Sequence, residues 1–126
     1  MIQDRSLVVI ADNTGAKIGR IFKIPGSSKK RYAQIGEKVI LSVQSAEPRK
    51  GVKKKEVLTG VVVRQRHPFR RKDGSYIRFD ENAVVILETS GKDKKEPKAG
   101  RIFGPIPREL QDLGYQTIIS RAPEVV

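Results

Sequence analysis

Chemistry in this chain of 126 residues would have to come from few side chains. There is one histidine, His67, and no cysteine. A single imidazole without thiolates cannot build a zinc site of the usual kind. His67 lies between Arg66 and Pro68. That positive neighbourhood discourages a general-base role and leaves two uses, a contact to phosphate or base and a solvated loop position. Asp80 and Glu81 are adjacent carboxylates. Neighbours on a strand point to opposite faces, so they do not form an acid–base pair. Asp12 and Asp73 stand in turn sequences, where a carboxylate more often serves the backbone. Gly100 and Gly104 bracket Arg101-Ile102-Phe103 without the spacing of a phosphate-cradling loop.

What remains is positive charge, in three groups. Lys29, Lys30 and Arg31 form the first. Arg49, Lys50, Lys53, Lys54 and Lys55 form the second. Arg64, Arg66, Arg70, Arg71, Lys72 and Arg78 form the third. Guanidinium groups suit bidentate phosphate grasp, and ammonium groups neutralise as point charges. Arg64 and Arg66 have strand spacing and are expected to share a face. Tyr32, Phe69 and Tyr76 lie near these groups and either stack on bases or pack at the rim of a core. Phosphate contacts of this kind position a nucleic acid without reading its sequence.

Composition supports a polyanionic partner. Lys and Arg number 26 against 14 acidic residues, a formal charge of +12. Such an excess on a small chain points first to nucleic acid; the alternative is plain solubility. Clustering argues against solubility alone, because Arg49 to Lys72 holds ten basic residues and one acid, Glu56. The hydrophobic fraction of 37% is enough for a folded core. Lack of cysteine removes disulfides and thiolate chemistry and fits a reducing cytoplasm. No apolar run is long enough to span a bilayer, and the first residues show no signal-peptide pattern. By length, residues 1–126 read as one domain.

The elements that must carry these charges are short strands. Gly60 to Leu87 is the centre of the pattern: Val61-Val62-Val63, a basic stretch, Asp73-Gly74, then Tyr76 to Phe79 and Ala83 to Leu87. Two β-branched runs around an Asp-Gly turn predict an antiparallel hairpin with its charge at the tip. Strands are expected at Ser6–Ala11, Ala16–Ile24, Lys38–Ser45, Val57–Arg64 and Tyr76–Leu87, the last kinked near Asp80-Glu81-Asn82. Val39, Leu41 and Val43 should share one face. Gly60 inside a strand marks a bulge or a close backbone approach. The near-continuous apolar runs of the fourth and fifth strands predict a barrel interior on one side and a packed layer on the other. Pro107 to Leu113 carries the helix signal, with Gly114 at its end and Leu110 and Leu113 toward the core. Tyr115 to Ser120 reads as a further short element. Lys92 to Lys98 reads as a solvated loop. Five short strands and a helical tail predict a mainly β chain built as a small barrel.

Gly60-Val61-Val62-Val63, a nine-residue basic spacer, Asp73-Gly74, Phe79, Asn82 and Val85-Ile86 resemble the signature of large-subunit ribosomal protein fourteen, a universal family, in its bacterial form. Ala11-Asp12-Asn13-Thr14-Gly15-Ala16, Arg31-Tyr32-Ala33, Val52-Lys53-Lys54, Arg101-Ile102-Phe103-Gly104-Pro105, Arg108-Glu109-Leu110 and Ala122-Pro123-Glu124-Val125 extend the resemblance across the chain. The resemblance implies a five-stranded β-barrel with a protruding hairpin ribbon and a small helical C-terminal region. It implies direct binding to large-subunit rRNA, no catalysis and no cofactor. It further implies a place at the subunit interface, in an intersubunit bridge to small-subunit rRNA. Neighbouring ribosomal proteins, the nineteenth in bacteria, are implied as partners, and a ribosome silencing factor is a further one. By position, Arg101, Ile102, Phe103 and Arg108 would form that protein-facing surface. Two departures stand out: Lys92 to Lys98 is longer than the bacterial pattern, and Lys54-Lys55-Glu56 replaces a common Lys-Gly-acidic pattern. A free-standing RNA-binding barrel is the rival reading; an RNA-modifying enzyme would need a catalytic group that the sequence does not offer.

Overall fold

The computed structural model describes residues 2–3, 5–26, 31–49, 51–88 and 96–126. Lys29, Lys30, Lys50 and residues 92–95 of the expected loop lie outside the described residues. In chain order the elements are β1 (Ile2–Gln3), β2 (Leu7–Ile10), β3 (Ala16–Lys23), β4 (Tyr32–Ala33), β5 (Lys38–Ala46), β6 (Val57–Arg64), β7 (Phe69–Arg70), β8 (Tyr76–Ile77), β9 (Ala83–Ile86), β10 (Pro105–Ile106), α1 (Glu109–Asp112), α2 (Gln116–Arg121) and β11 (Glu124–Val125). Strands β2, β3, β5, β6 and β9 close into a barrel in that order. All neighbours are antiparallel except β2 and β9, which run parallel and close the ring.

The alternating pattern of β5 buries Val39, Leu41 and Val43 inside the barrel, as their spacing predicts. From Val61 in β6 and throughout β9 every apolar residue is buried, and the two faces go to different places. Val62, Val84 and Ile86 point into the barrel. Val61, Val63, Ala83, Val85 and Leu87 point outward and pack under Ile102, Ile106, Leu110, Tyr115 and Ile118. The C-terminal segment is therefore the outer layer that the continuous apolar runs require. Gly60 lies where β6 approaches β9 closely: a Cβ there would sit 3.1 Å from the Val85 carbonyl oxygen.

Two local expectations are corrected. The fifth strand is not continuous, because residues between β8 and β9 leave the ladder. Phe79 turns in to pack on the barrel core while its N–H donates to the Gln65 carbonyl at 2.9 Å. Leu113 is 45% exposed rather than buried. The helix stops at Asp112, so the three-residue spacing from buried Leu110 no longer returns Leu113 to the same face.

Asp12 shows how the β2–β3 turn is fixed. It is buried, and its Oδ1 accepts from the Thr14 N–H at 3.2 Å and the Thr14 hydroxyl at 2.7 Å. Its Oδ2 accepts from the Ile86 N–H at 2.9 Å, tying the turn to β9. Burial pushes its carboxyl above the ordinary 3.8, outweighing the lowering by these bonds and by the Lys98 charge. The folded chain thus holds this proton more tightly than the unfolded chain. Its contribution to stability is full below the unfolded value and declines as pH rises through the folded one. Asp12→Asn is expected to cost about 1–3 kcal/mol, because an amide cannot accept from Thr14 and Ile86 on both sides and one buried N–H loses its partner. Urea unfolding from acid to neutral pH checks both points. The gap between wild type and variant should narrow as pH rises.

Candidate nucleic-acid interface

The basic tip begins at the end of β6. Between Val62 and Arg64 the register with β9 slips, and β6 ends. Gln65 then turns inward and is 1% exposed. Its Oε1 accepts from the Ile35 N–H at 3.2 Å, and its Nε2 donates to the His67 carbonyl at 2.9 Å. Across the hairpin, Asn82 Oδ1 accepts from the Arg66 N–H at 2.9 Å. These two amides replace the missing ladder bonds and hold Arg66-His67-Pro68 in an outward turn. A cleft of about 460 Å³ opens there, lined by Arg66, His67, Pro68, Arg78, Phe79 and Asp80.

Beyond the turn, β7 and β8 form a short antiparallel ribbon pairing Phe69 with Ile77 and Arg70 with Tyr76. Gly74, at φ 90°, supplies the left-handed residue of its turn. Asp73 Oδ1 accepts from the Ser75 hydroxyl at 2.6 Å and the Ser75 N–H at 2.9 Å. Those bonds, with the Arg108 and Arg71 charges, hold its carboxyl below the usual value. Arg66, Arg70, Lys72 and Arg78 are exposed around this ribbon.

Two members of the third basic group do not share that exposure. Arg64 is 5% exposed. Its Nη1 donates to the carbonyls of Phe103 at 2.8 Å and Pro105 at 3.1 Å, and its Nη2 to Glu81 Oε1 at 2.9 Å. It lies beneath the chain leading into β10 instead of beside Arg66, because β6 ends before the expected alternation reaches Arg66. Arg71 pairs through Nε with Glu109 Oε1 at 2.6 Å, and its Nη2 donates to the Val126 carbonyl at 2.6 Å.

The second basic group is built around a pinned turn. Val52 plugs into the barrel core. Glu56 Oε2 accepts from the Lys53 N–H at 3.1 Å, and the Lys55 N–H donates to the Val43 carbonyl at 2.7 Å. Arg49, Lys53, Lys54 and Lys55 are left exposed. Glu56, the one acid of the stretch, is thus a clasp for the lysines. Lys55 has φ 70° and occupies the place where the Lys-Gly-acidic pattern has glycine. Lys55→Gly is expected to stabilise the fold by up to about 1 kcal/mol, since glycine takes this conformation without a Cβ penalty. Thermal melting of the two chains tests it, and a fall in melting temperature would refute it.

Strand direction separates the basic groups. The loop holding Arg49 and Lys53 to Lys55 enters β6 at Val57, whereas the ribbon leaves it after Arg64. Eight residues of extended chain, roughly 25 Å, lie between them, so they occupy opposite mouths of the barrel. Arg31 precedes β4 in the β3–β5 connection, on the ribbon side. The exposed charge therefore stands at two poles.

The proposed protein-facing residues divide as well. Ile102 is 2% exposed and belongs to the outer core, so it is not a surface residue. Phe103 is 46% exposed, with the Arg101 guanidinium 5.9 Å from its ring centroid. The Arg101 and Asn13 backbones and the Asn13 side chain hold this segment against the β2–β3 turn. Arg108 is exposed and lies 3.6 Å from Asp73.

Sequence reasoning missed Gln65 and the backbone-pinning roles of Asn82 and Glu56. Each is a polar residue at the junction of an apolar run and a turn, and that position was the available signal. Among the described residues no group of three His, Cys, Asp or Glu could hold a metal, and no helix is long and apolar enough to cross a membrane. Cationic poles on a closed barrel, with their backbones pinned by the side chains of Gln65, Asn82 and Glu56, suit holding a polyanion. The family model described as Ribosomal protein L14p/L23e matches residues 1–126, and the chain belongs to that family of structural constituents of the large ribosomal subunit.

Proposed function

We propose that the chain, acting as one domain, binds large-subunit rRNA directly and lies where that subunit meets the small one, contributing to an intersubunit bridge with small-subunit rRNA. The observation that carries this reading is the pair of exposed basic poles. Arg66, Arg70, Lys72, Arg78 and Arg31 are on the ribbon side, and Arg49, Lys53, Lys54 and Lys55 are on the other. One pole is enough to grip one RNA; two at opposite mouths suit a small protein held between two RNA bodies. Lys29, Lys30 and Lys50 belong to the same proposed set. Arg101, Phe103 and Arg108 form the proposed contact for neighbouring ribosomal proteins, the nineteenth in bacteria, and for a silencing factor. The site of action is the ribosome, in the cytoplasm.

Sucrose-gradient sedimentation of a cell lysate, with the protein detected in each fraction, tests the reading. A stoichiometric peak at the large subunit and at joined ribosomes is expected. A peak confined to the top of the gradient would favour a free RNA-binding barrel. Crosslinking then separates the poles: the two are expected to reach different RNA segments, and crosslinks from both to one segment would count against the bridge.

A further inference from the structure

A ribbon of two residues per strand cannot hold its own orientation, since short isolated hairpins are marginal in water. Phe69 packs its base against the barrel core. Farther out, Arg71 reaches α1. Its side chain is 11% exposed, that of Glu109 is 20% exposed, and their ion pair is 2.6 Å long. The Val126 carbonyl accepts from Arg71 Nη2 and also from the Arg108 N–H at 3.2 Å. Pairing of β10 with β11 holds Val126 in place. Arg71 is anchored at its other end too, where its N–H donates to the Ser75 carbonyl across the ribbon turn at 2.8 Å.

We propose that Arg71 and Glu109 form a lock that fixes the β7–β8 ribbon against α1, and that Arg71 serves RNA binding as a positioning residue and not as a phosphate contact. The inference rests on the reading that the ribbon binds rRNA. A mostly buried arginine whose guanidinium faces the Glu109 carboxylate and donates to the Val126 backbone oxygen is turned away from solvent, where a phosphate would have to approach. Held this way, it presents its neighbours Arg70 and Lys72 outward in one arrangement. Binding then spends no affinity on ordering the ribbon, because apparent affinity scales with the fraction of molecules already in the competent arrangement.

The deciding variant is Glu109→Gln in the full chain. It removes a negative charge, so net charge alone would tighten RNA binding. The lock instead requires weaker binding, about three- to tenfold if the competent fraction falls to between a third and a tenth. Filter binding to protein-free large-subunit rRNA at fixed salt measures this. Hydrogen exchange of the Arg71 amide reports the ribbon directly and is expected to speed up. Exchanging the pair, Arg71→Glu with Glu109→Arg, keeps the net charge and should recover both affinity and protection relative to Arg71→Glu alone. Equal or tighter binding by Glu109→Gln with unchanged exchange would overturn the lock, as would a pair exchange that recovers neither. Arg70→Glu is the control for the underlying reading. If it leaves affinity unchanged the ribbon does not touch this RNA, whereas the lock still stands or falls by the exchange rates.

Discussion

Replacing Arg64 with methionine is expected to destabilise the fold by about 3 kcal/mol, taking roughly 1.5 kcal/mol for each charged bond to the Phe103 and Pro105 carbonyls. Methionine has a similar length and fills the apolar part of the site, so the loss is of donors and not of volume. At this chain length that corresponds to a fall in melting temperature of about 10 °C. Arg64→Lys should recover only part of it, because one ammonium cannot span Phe103, Pro105 and Glu81 in the fixed fork of a guanidinium. Gly104 ties the argument to the backbone. It has φ 79°, and a Cβ there would come within 2.6 Å of Arg64 Nη1. Gly104→Ala is therefore expected to be destabilising in wild type and less so in an Arg64→Met background. A double-mutant cycle reads that difference as coupling. Arg64→Met melting within about 2 °C of wild type while losing RNA affinity would return Arg64 to the RNA-contacting set.

Arg64 also marks where the sequence stops being readable. Periodicity carried the β5 and β6 strands and the need for an outer layer, because burial on one or both faces leaves a direct trace in residue type. The expected Val57–Arg64 strand and the observed β6 coincide. Periodicity could not say that the register slips after Val62 or that the strand ends before Arg66. An arginine two residues from another arginine reads as a shared charged face until the third-dimensional neighbour is known. Here that neighbour is a pair of carbonyls about forty residues downstream, an interaction without local signature. Ile102 failed for the matching reason. Its flanking Arg101 and Phe103 are exposed, and only the β2–β3 turn beneath the segment turns Ile102 inward. The separation of the basic groups into two poles was legible in principle. It follows from antiparallel order alone once the barrel strands are assigned.

Removing Arg70 and Lys72 together is expected to weaken rRNA binding at about 0.1 M salt by roughly 25- to 60-fold, with the fold intact. Both are exposed on the ribbon, and neither has an ion pair among the described residues. Alanine at these positions therefore takes nothing from the fold that the structure uses. Each phosphate contact contributes about 0.7–0.9 to the slope of log affinity against log salt, so two lost contacts lower the slope by about 1.4–1.8. The deficit should shrink steadily as salt rises and be nearly gone toward 1 M. This pattern separates contact from positioning. Arg71→Ala, by the lock argument, should weaken binding by a similar factor at every salt concentration with the slope unchanged, because it lowers the competent fraction without releasing a counterion. Lys53→Ala with Lys54→Ala, at the opposite mouth, should lower the slope on whatever RNA faces that pole and leave the ribbon's target unaffected. Filter binding across a salt series, with each rRNA separately, measures all three. A double variant at Arg70 and Lys72 with wild-type slope would remove the ribbon from the interface. A slope lost equally on both RNAs from either pole would leave a single diffuse cationic surface in place of two.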